Sequence, residues 1–455
     1  MSDLRARAKA AIDKARHGGL ASESAWGLGL ELVTMLGMFV SFALLADHLG
    51  PEGYAPYVAL YAIVAPLVTL AASGVGLALL QHVVRDREPL ERTARSCITL
   101  TFVLGAALTV VGGLIAFAIV DGMSVVAMVT LLVTEFVTTP LVMVAAFAVQ
   151  AETSFKMSAQ IRIVFMSIRM ILVIVLFLAG SLNFTSLGVF SLASTAVFAV
   201  VVLRHVSRMY GFAFVPGKVD VHHFRTNVVY SVGISAASLN NDGDKIVLAA
   251  NNFKVDTGLY GAAYKIVNLG LVPVSSLVSS SHRRFLEHEE GVKGQHLRRA
   301  VKFAAVSGAY GLVIAVVMMA GAPLLPVLLG DDWEGSVTMI RWLSPLVLFR
   351  SMAMFPINAL MGLGKTFARS VIIVANAAVA MGLYIALIPS RSWKGGVYGT
   401  LISEVLLLGS TWTALVIYQR RADREIDASA PPDADGPTDA ELLADLEPYE
   451  PYSPS

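Results

Sequence analysis

Apolar stretches dominate this chain and recur at short intervals. A helix needs about 20 apolar residues to cross the hydrocarbon of a bilayer, and runs of roughly that length alternate with short polar breaks. The first six lie near residues 26–45, 54–80, 97–120, 125–149, 163–179 and 187–203, and the second six near residues 228–250, 259–278, 303–320, 337–361, 371–388 and 397–417. Because a backbone inside the bilayer must satisfy its own hydrogen bonds, we predict an all-α polytopic membrane protein with about 12 transmembrane helices in two six-helix lobes.

The positions of the basic residues test that helix count independently. Lys and Arg accumulate in the cytoplasmic loops of membrane proteins. If the N-terminus lies inside, most loop Lys and Arg residues face the cytoplasm, and only Lys254, Arg391 and Lys394 fall in outside loops. This bias holds at every turn, so we predict an even number of spans and a multi-pass protein with both termini in the cytoplasm.

The same pattern divides the chain into five segments. Residues 1–24 form a basic cytoplasmic N-terminal arm, residues 25–210 an N-lobe with helices 1–6, and residues 211–226 a cytoplasmic linker. Residues 227–420 form a C-lobe with helices 7–12. Residues 421–455 are rich in Pro and Asp and have little to bury, so we predict a disordered acidic cytoplasmic tail.

The two halves of the chain resemble each other. "LADHLGPEGYAPYVALYAIV" at residues 45–64 aligns without a gap on "LAANNFKVDTGLYGAAYKIV" at residues 248–267, and Tyr57 and Tyr61 match Tyr260 and Tyr264. Each segment leaves one predicted helix, passes through an outside loop and enters the next helix. Internal repeats are a common plan of transporters. We therefore predict a parallel repeat about an axis along the membrane normal.

Composition agrees with a membrane protein and narrows the chemistry. Hydrophobic residues make up 56% of the chain and charged residues 15%, whereas soluble domains carry about 25% charged residues. Cys97 is the only cysteine, which excludes an internal disulfide and a multi-cysteine zinc site. The formal net charge is +1, and we expect no nucleic-acid partner.

Three short motifs resemble catalytic or metal-binding patterns but lack the required context. "GLGKT" at residues 362–366 has Ala359 where a P-loop needs glycine, and no strand precedes it. "DGD" at residues 242–244 has no loop domain large enough to hold a sugar nucleotide. His222 and His223 have no carboxylate or cysteine at ligand spacing, so a solvated pair is expected. We therefore predict no enzyme, no catalytic residue, no cofactor and no metal site.

Ionisable residues inside the predicted helices are the remaining candidates for function. Each costs about 2.5 to 3.5 kcal/mol on insertion scales, so such groups usually face a partner or a polar pathway. The acids are Glu31, Glu135, Asp242, Asp244 and Glu404, and the bases are Arg169, Lys245, Lys265, Arg341 and Arg350. Equal numbers of acids and bases leave open whether they line a cavity or pair with one another.

Depth and spacing rank these groups. At about 1.5 Å of rise per residue, Lys265, Arg350 and Glu135 lie near the middle of the bilayer. Asp242 and Lys245 are three residues apart, so they share one helical face. We predict that this polar face of helix 7 lines water or protein.

Three segments resemble the polysaccharide transporter family of the MOP flippase superfamily, the Wzx-like O-antigen and exopolysaccharide exporters. "LLADHLGPEGYAPYVALYAIV" at residues 44–64 is similar to the family's "LGPEEYGLY" hairpin. "DKIVLAANNFKVDTGLYGAAYKIVNLGLVP" at residues 244–273 and "LLPVLLGDDW" at residues 324–333 are similar to two further family segments. The resemblance covers residues 25–420, and it departs at Ala55, where the family usually has glycine.

The resemblance implies a MATE-like, two-lobed flippase in the bacterial plasma (inner) membrane. Its substrate would be an undecaprenyl-diphosphate-linked oligosaccharide, translocated by alternating access. Relatives use basic residues in a central cavity, and the matching candidates in this chain are Lys245, Lys265, Arg169 and Arg350. The acids Asp244, Asp242, Glu135, Glu31 and Glu404 would pair with these bases or carry a coupling H⁺ or Na⁺. Expected partners are the lipid-linked oligosaccharide, membrane lipids and polysaccharide assembly proteins that dock on the acidic tail.

Three alternatives remain open at this stage. An ion-coupled multidrug antiporter of the same superfamily would bind cations through Glu135, Asp242 or Glu404. A membrane glycosyltransferase or polymerase would need a larger outside loop than this chain has. A non-transporting scaffold for cell-wall assembly would use the acidic tail and would have no reason to retain charges within the membrane.

Overall fold

Twelve helical rods, numbered α1 to α12, make up the part of the chain that the computed structural model describes, residues 20–153, 155–286 and 293–429. In the N-lobe, the helix Leu20–Ala71 bends at Gly50, which separates α1 from the first part of α2, and α2 continues through Ser73–Leu80 and Gln81–Arg85. The helix α3 is Leu90–Ile119, and α4 consists of Val125–Val133, Thr134–Thr138 and Thr139–Glu152. The helices α5 and α6 are Phe155–Leu178 and Phe184–Tyr210. In the C-lobe, α7 is Val221–Ala250, α8 is Lys254–Leu269 and Val272–Leu286, α9 is Gln295–Gly321, α10 is Glu334–Leu343 and Pro345–Gly362, α11 is Thr366–Arg391 and α12 is Trp393–Ser429. Leu324–Leu329 and Asp331–Trp333 form short helices between α9 and α10. The predicted all-α fold with about 12 transmembrane helices is confirmed.

Length and hydropathy alone find fewer spans than the fold contains. Among the described residues, nine helices are long and apolar enough to cross a membrane. One of them, Gly29–Arg85, contains both α1 and α2 because Gly50 bends the chain. The helices α7 and α8 do not qualify, since Asn, Asp and Lys interrupt α7 and a break at Gly270 divides α8.

The hairpins α1–α2 and α7–α8 hold the two lobes together at the predicted outer end. Gly50 has φ 65° and ψ 176°, a conformation that glycine adopts without steric cost. A Cβ atom on Gly258 of α8 would lie 1.9 Å from the carbonyl oxygen of Pro51, and one on Gly261 would lie 2.5 Å from a methyl group of Val58. Only residues without a side chain allow such an approach of the two backbones.

The contact between the hairpins agrees with the predicted repeat. In the alignment of residues 45–64 with residues 248–267, Val58 and Gly261 occupy equivalent positions, and in the structure they touch each other. Equivalent residues of two repeats meet only at the axis that relates the repeats. The position of this pair therefore supports a parallel repeat about an axis that passes between α2 and α8.

The polar half of α7 packs along α2 of the other lobe. The hydroxyl oxygens of Thr69 and Ser235 are 2.6 Å apart, and the hydroxyl of Ser231 donates to the carbonyl of Thr69 at 3.2 Å. The side-chain amide of Asn227 donates to the carbonyl of Leu70 at 3.1 Å. These polar groups thus face protein rather than lipid.

The helix ends differ in two places from the segments predicted by sequence. The helix α7 begins at Val221, inside the predicted linker of residues 211–226, because the side chain of Asp220 accepts a hydrogen bond from the backbone N–H of His222. That bond is the main cause of a lowered pKa of the Asp220 carboxyl. The helix α12 extends to Ser429, past residue 421. Most of the predicted arm and most of the predicted tail lie outside the described residues.

Candidate functional site

An arginine and a glutamate pair deep in the C-lobe. Nε of Arg350 on α10 donates to Oε1 of Glu404 on α12 at 2.8 Å, and the two side chains are only 11% and 2% exposed. Arg350 also donates to Oδ1 of Asn241 at 2.5 Å and to the hydroxyl of Tyr264 at 3.2 Å. The side-chain amide of Asn240 donates to Glu404 at 3.1 Å. This arrangement compensates both charges, as buried ions require.

A second cation, Lys245 on α7, has two acidic neighbours. Its Nζ atom lies 3.0 Å from Oδ1 of Asp242 and 3.2 Å from Oδ1 of Asp244, and it donates to the carbonyl of Asn241 at 2.6 Å. The same atom lies 3.5 Å from the ring centroid of Tyr264, within cation–π range. Lys245 is therefore fully engaged by its own helix and by α8.

The buried carboxylate of Asp244 connects three helices of the C-lobe. Its Oδ2 atom accepts hydrogen bonds from the hydroxyl of Tyr260 on α8 at 2.9 Å and from the hydroxyl of Thr400 on α12 at 3.1 Å. Asn376 of α11 joins the same network through Asn240, at 3.2 Å. Movement of one of these helices would break hydrogen bonds of the others.

The N-lobe contains an equivalent pair, between Arg169 of α5 and Glu135 of α4. Arg169 donates to both carboxylate oxygens of Glu135, and the hydroxyl of Tyr61 donates to the same carboxylate at 2.9 Å. Glu135 lies in the π-helical turn Thr134–Thr138, and such turns occur frequently at functional sites. Tyr61 is the repeat equivalent of Tyr264, so each lobe places the same tyrosine against an arginine–glutamate pair.

Lys265 on α8 differs from the other three predicted substrate-binding cations. In the described ranges it forms no ion pair and no hydrogen bond through its side chain. It lines a cavity of about 370 Å³ between α1 and α8. The α1 wall includes Glu31, Met35 and Phe39, and Asn268 lies one helical turn beyond Lys265. Asp242 acts on this ammonium group electrostatically without pairing with it, and the group borders a largely apolar cavity.

A second cavity, of about 390 Å³, lies beside the first within the C-lobe. Asn241, Arg350 and Glu404 line it, and it shares Asn268 and Val272 with the first cavity. The shared residues flank the break in α8. The two cavities therefore meet at α8, with the free lysine on one side and the Arg350–Glu404 pair on the other.

The nine predicted site residues fall into three groups. The C-lobe network contains Lys245, Arg350, Asp242, Asp244 and Glu404, the N-lobe pair is Arg169 and Glu135, and the α1–α8 cavity is lined by Lys265 and Glu31. Arg341, which was also considered, is exposed and donates to the carbonyl of Met319. The predicted site residues are all charged, so they do not include the neutral partners Asn240, Tyr260, Tyr264 and Thr400. The match between the two tyrosine pairs of the repeat was the signal that could have identified Tyr264.

One expectation about the histidines is wrong. His223 is fully buried, whereas its neighbour His222 is exposed. The Nε2 atom of His223 lies 2.9 Å from Oε2 of Glu88, and its ring is 4.5 Å from the ring of His82. Those partners are far away in sequence, so inspection of residues near His223 could not reveal them.

Solved structures of similar fold are transporters of the MOP superfamily. An inward-facing multidrug resistance MATE family transporter matches with 12% identity over 90% of this chain and 100% of that chain, at a TM-score of 0.72. An outward-facing structure matches with 14% identity over 92% and 99%, at a TM-score of 0.60. A MOP superfamily transporter from Pyrococcus furiosus, whose binding pocket has reversed polarity, matches with 14% identity over 87% and 97%, at 0.59. The likeness shows that this chain has the fold of those MOP superfamily transporters.

The sequence identifies the family. The profile of the polysaccharide biosynthesis protein family matches residues 20–282, more than half of the chain, and the chain belongs to that family. No curated protein matches the chain by sequence. The resemblance inferred from the hairpin segments is thereby confirmed.

Proposed function

We propose that this protein is a flippase that moves an undecaprenyl-diphosphate-linked oligosaccharide across the bacterial plasma membrane by alternating access. Membership of the polysaccharide biosynthesis family supports the substrate class, and the loop charges support cytoplasmic termini. The observation that carries the proposal is that Lys265 borders the α1–α8 cavity without an ion-pair partner among the described residues.

A free lysine suits the diphosphate of such a substrate. The ammonium group is a compact point charge with three donors, which binds phosphate oxygens without a fixed orientation. Lys245, Arg169 and Arg350 already face carboxylates within hydrogen-bonding distance. In this proposal Lys265 makes the first contact, and the three paired cations bind substrate only by exchanging an acidic partner.

The walls of the cavity suit the apolar part of the substrate. Met35, Met38, Phe39 and Phe42 of α1 line the side opposite Lys265. The two adjoining cavities, of about 370 and 390 Å³, are each of the size that holds one drug-sized ligand. They fit a diphosphate and the first sugars, so a longer glycan would extend beyond them.

The acidic residues provide a route for energy coupling. Asp242, Asp244, Glu135 and Glu404 each face a cation, and Glu31 lines the same cavity as Lys265. Binding of H⁺ or Na⁺ to one of these carboxylates would weaken its ion pair and release the cation toward substrate. We propose this exchange as the coupling step.

A multidrug antiporter is the closest competing function, and the geometry favours it less. A cationic substrate requires an available carboxylate. The antiporter candidates Glu135, Asp242 and Glu404 are all occupied by cations of the protein itself. An anionic substrate instead finds Lys265, which forms no ion pair with the described residues.

Loss of the gene in its host provides the first test. We expect a lipid-linked oligosaccharide to accumulate in the cytoplasmic leaflet, detected by mass spectrometry combined with leaflet-selective chemical modification. Lys265→Ala should reduce clearance of that lipid at least tenfold, because the diphosphate loses its cation. Lys265→Arg should retain most activity.

Lys302→Ala is the matched control, because Lys302 is exposed on α9. This variant should clear the lipid at the wild-type rate. All variants are compared at equal expression. Deletion without any change in lipid-linked sugars would overturn the proposed function. Accumulation on deletion combined with full activity of Lys265→Ala would instead remove Lys265 from the site and leave the flippase intact.

A further inference from the structure

Two histidines and a glutamate from opposite lobes meet beyond the end of α2. His82 belongs to the last turn of α2, Glu88 to the loop that follows, and His223 to the first turn of α7. Their ligand atoms all lie within 4.8 Å of one another. Nε2 of His223 is 2.9 Å from Oε2 of Glu88, and Nδ1 of His82 is 3.6 Å from Oε1 of the same carboxylate.

His82 is buried in this cluster without hydrogen bonds. Its side chain is 0% exposed, and within the described part of the chain neither ring nitrogen has a hydrogen-bond partner. The Nδ1 atom lies 2.9 Å from Oδ2 of Asp86, but without hydrogen-bond geometry. Buried polar groups in native proteins are nearly always satisfied. A buried imidazole without a hydrogen bond, beside two carboxylates and a second imidazole, has the surroundings expected of a metal ligand.

The spacing of these atoms matches a coordination sphere. Zn²⁺ holds nitrogen and oxygen ligands at about 2.0 to 2.2 Å in tetrahedral geometry, which places neighbouring ligand atoms about 3.3 Å apart. The observed separations of 2.9 and 3.6 Å bracket that value. Nδ1 of His223 lies 2.9 Å from the hydroxyl of Ser96, and such a bond on the second ring nitrogen orients metal-binding histidines.

We propose that His82, Glu88 and His223 bind a divalent transition-metal ion, with water as the fourth ligand. Imidazole and carboxylate ligands without thiolate suit Zn²⁺ and its first-row neighbours. Because the ligands come from α2 and α7, the ion would fasten the first turn of α7 to the N-lobe. The site does not overlap the α1–α8 cavity and does not depend on the proposed transport function.

Metal content of the purified full-length protein tests the site. The protein carries a purification tag without histidine, is washed with chelator in detergent, is loaded with Zn²⁺ and is freed of excess ion by gel filtration. We expect one ion per chain by elemental mass spectrometry. His82→Gln and His223→Gln should fall below about a tenth of an ion, whereas His205→Gln, at an exposed position on α6, should keep one.

Co²⁺ supplies a readout that does not rely on variants. A tetrahedral site gives intense visible absorption, which Zn²⁺ should displace at a ratio of one to one, and Glu88→Gln should weaken binding at least tenfold with an unchanged gel-filtration profile. A wild-type protein that takes up no Zn²⁺ beyond the level of the His82→Gln/His223→Gln protein would overturn the proposal. A Co²⁺ spectrum identical to that of the hydrated ion would also overturn it.

Discussion

At the residue scale, charges within the membrane are compensated by partners on other helices. Arg350 and Glu404 are 54 positions apart, and Arg169 and Glu135 are 34 positions apart. Each pair has a tyrosine hydroxyl as a further partner. Lys265 stands out because it has no ion-pair partner among the described residues, unlike Arg169, Lys245 and Arg350.

The Arg350–Glu404 pair provides a prediction about stability. Glu404→Gln leaves the guanidinium of Arg350 buried without an anion, and breaking a buried pair from one side typically costs about 3 to 5 kcal/mol. We expect a clear drop in the melting temperature of the purified protein. The double variant Arg350→Gln/Glu404→Gln should melt above Glu404→Gln, because it buries no lone charge. If the melting temperature of the double variant falls by the sum of the decreases seen in the two single variants, the two residues do not interact.

The sequence indicates which charged residues lie within the helices, but not which of them contact one another. Asp242 and Lys245 are three positions apart, and their contact at 3.0 Å follows from helix geometry alone. The contact of Arg350 with Glu404 depends on how α10 packs against α12, which periodicity cannot provide. The His82–Glu88–His223 cluster shows the same limit more strongly, since its members lie on α2, a loop and α7.

At the element scale, the helix count was predictable and the helix breaks were not. The length of an apolar run shows whether a segment can cross a bilayer as a helix. The twelve predicted runs therefore correspond to the twelve helices. The start of α7 at Val221 depends on the capping side chain of Asp220, and the first turns of this helix are polar. Hydropathy therefore placed the beginning of that helix too late.

The packing of α8 against the α1–α2 hairpin yields a prediction at this scale. Gly258→Ala places a methyl group 1.9 Å from the carbonyl oxygen of Pro51, so the two hairpins must move apart. In a Cys97→Ser background, Ala55→Cys is buried and should react slowly with a membrane-impermeant maleimide. We expect Gly258→Ala to raise that rate several-fold.

Gly382→Ala on α11 is the control for this experiment, because a Cβ atom at Gly382 meets nothing within 4 Å. It should leave labelling of the cysteine at position 55 unchanged. Equal labelling in the Gly258→Ala and Gly382→Ala proteins would mean that the close contact does not hold the outer end together.

At the scale of the whole molecule, the two lobes touch at both ends, through the hairpins at one end and through His223 and Glu88 at the other. Tyr54, Tyr260 and Trp333 belong to a buried cluster near the hairpin loops. The cavity with Lys265 is lined by residues of α1 from Leu30 to Phe42, and Phe42 also belongs to this cluster. If the hairpin end is the outer end, as the loop charges predict, the two lobes are in contact at the outer end in the described structure.

Alternating access requires the hairpin contact to open in each transport cycle. In a Cys97→Ser background, Val58→Cys and Gly261→Cys place thiols on α2 and α8 at positions whose Cβ atoms would lie 3.1 Å apart, close to the separation of about 3.5 to 4.5 Å in a disulfide. Oxidation should reduce clearance of the lipid-linked oligosaccharide by more than about tenfold, because the lobes can no longer separate there, and dithiothreitol should restore it. The Val58→Cys single variant should respond to neither reagent. Full transport by the oxidised, cross-linked protein would show that the outer contact stays closed throughout the cycle, and substrate would then have to leave by a route that does not pass between α2 and α8.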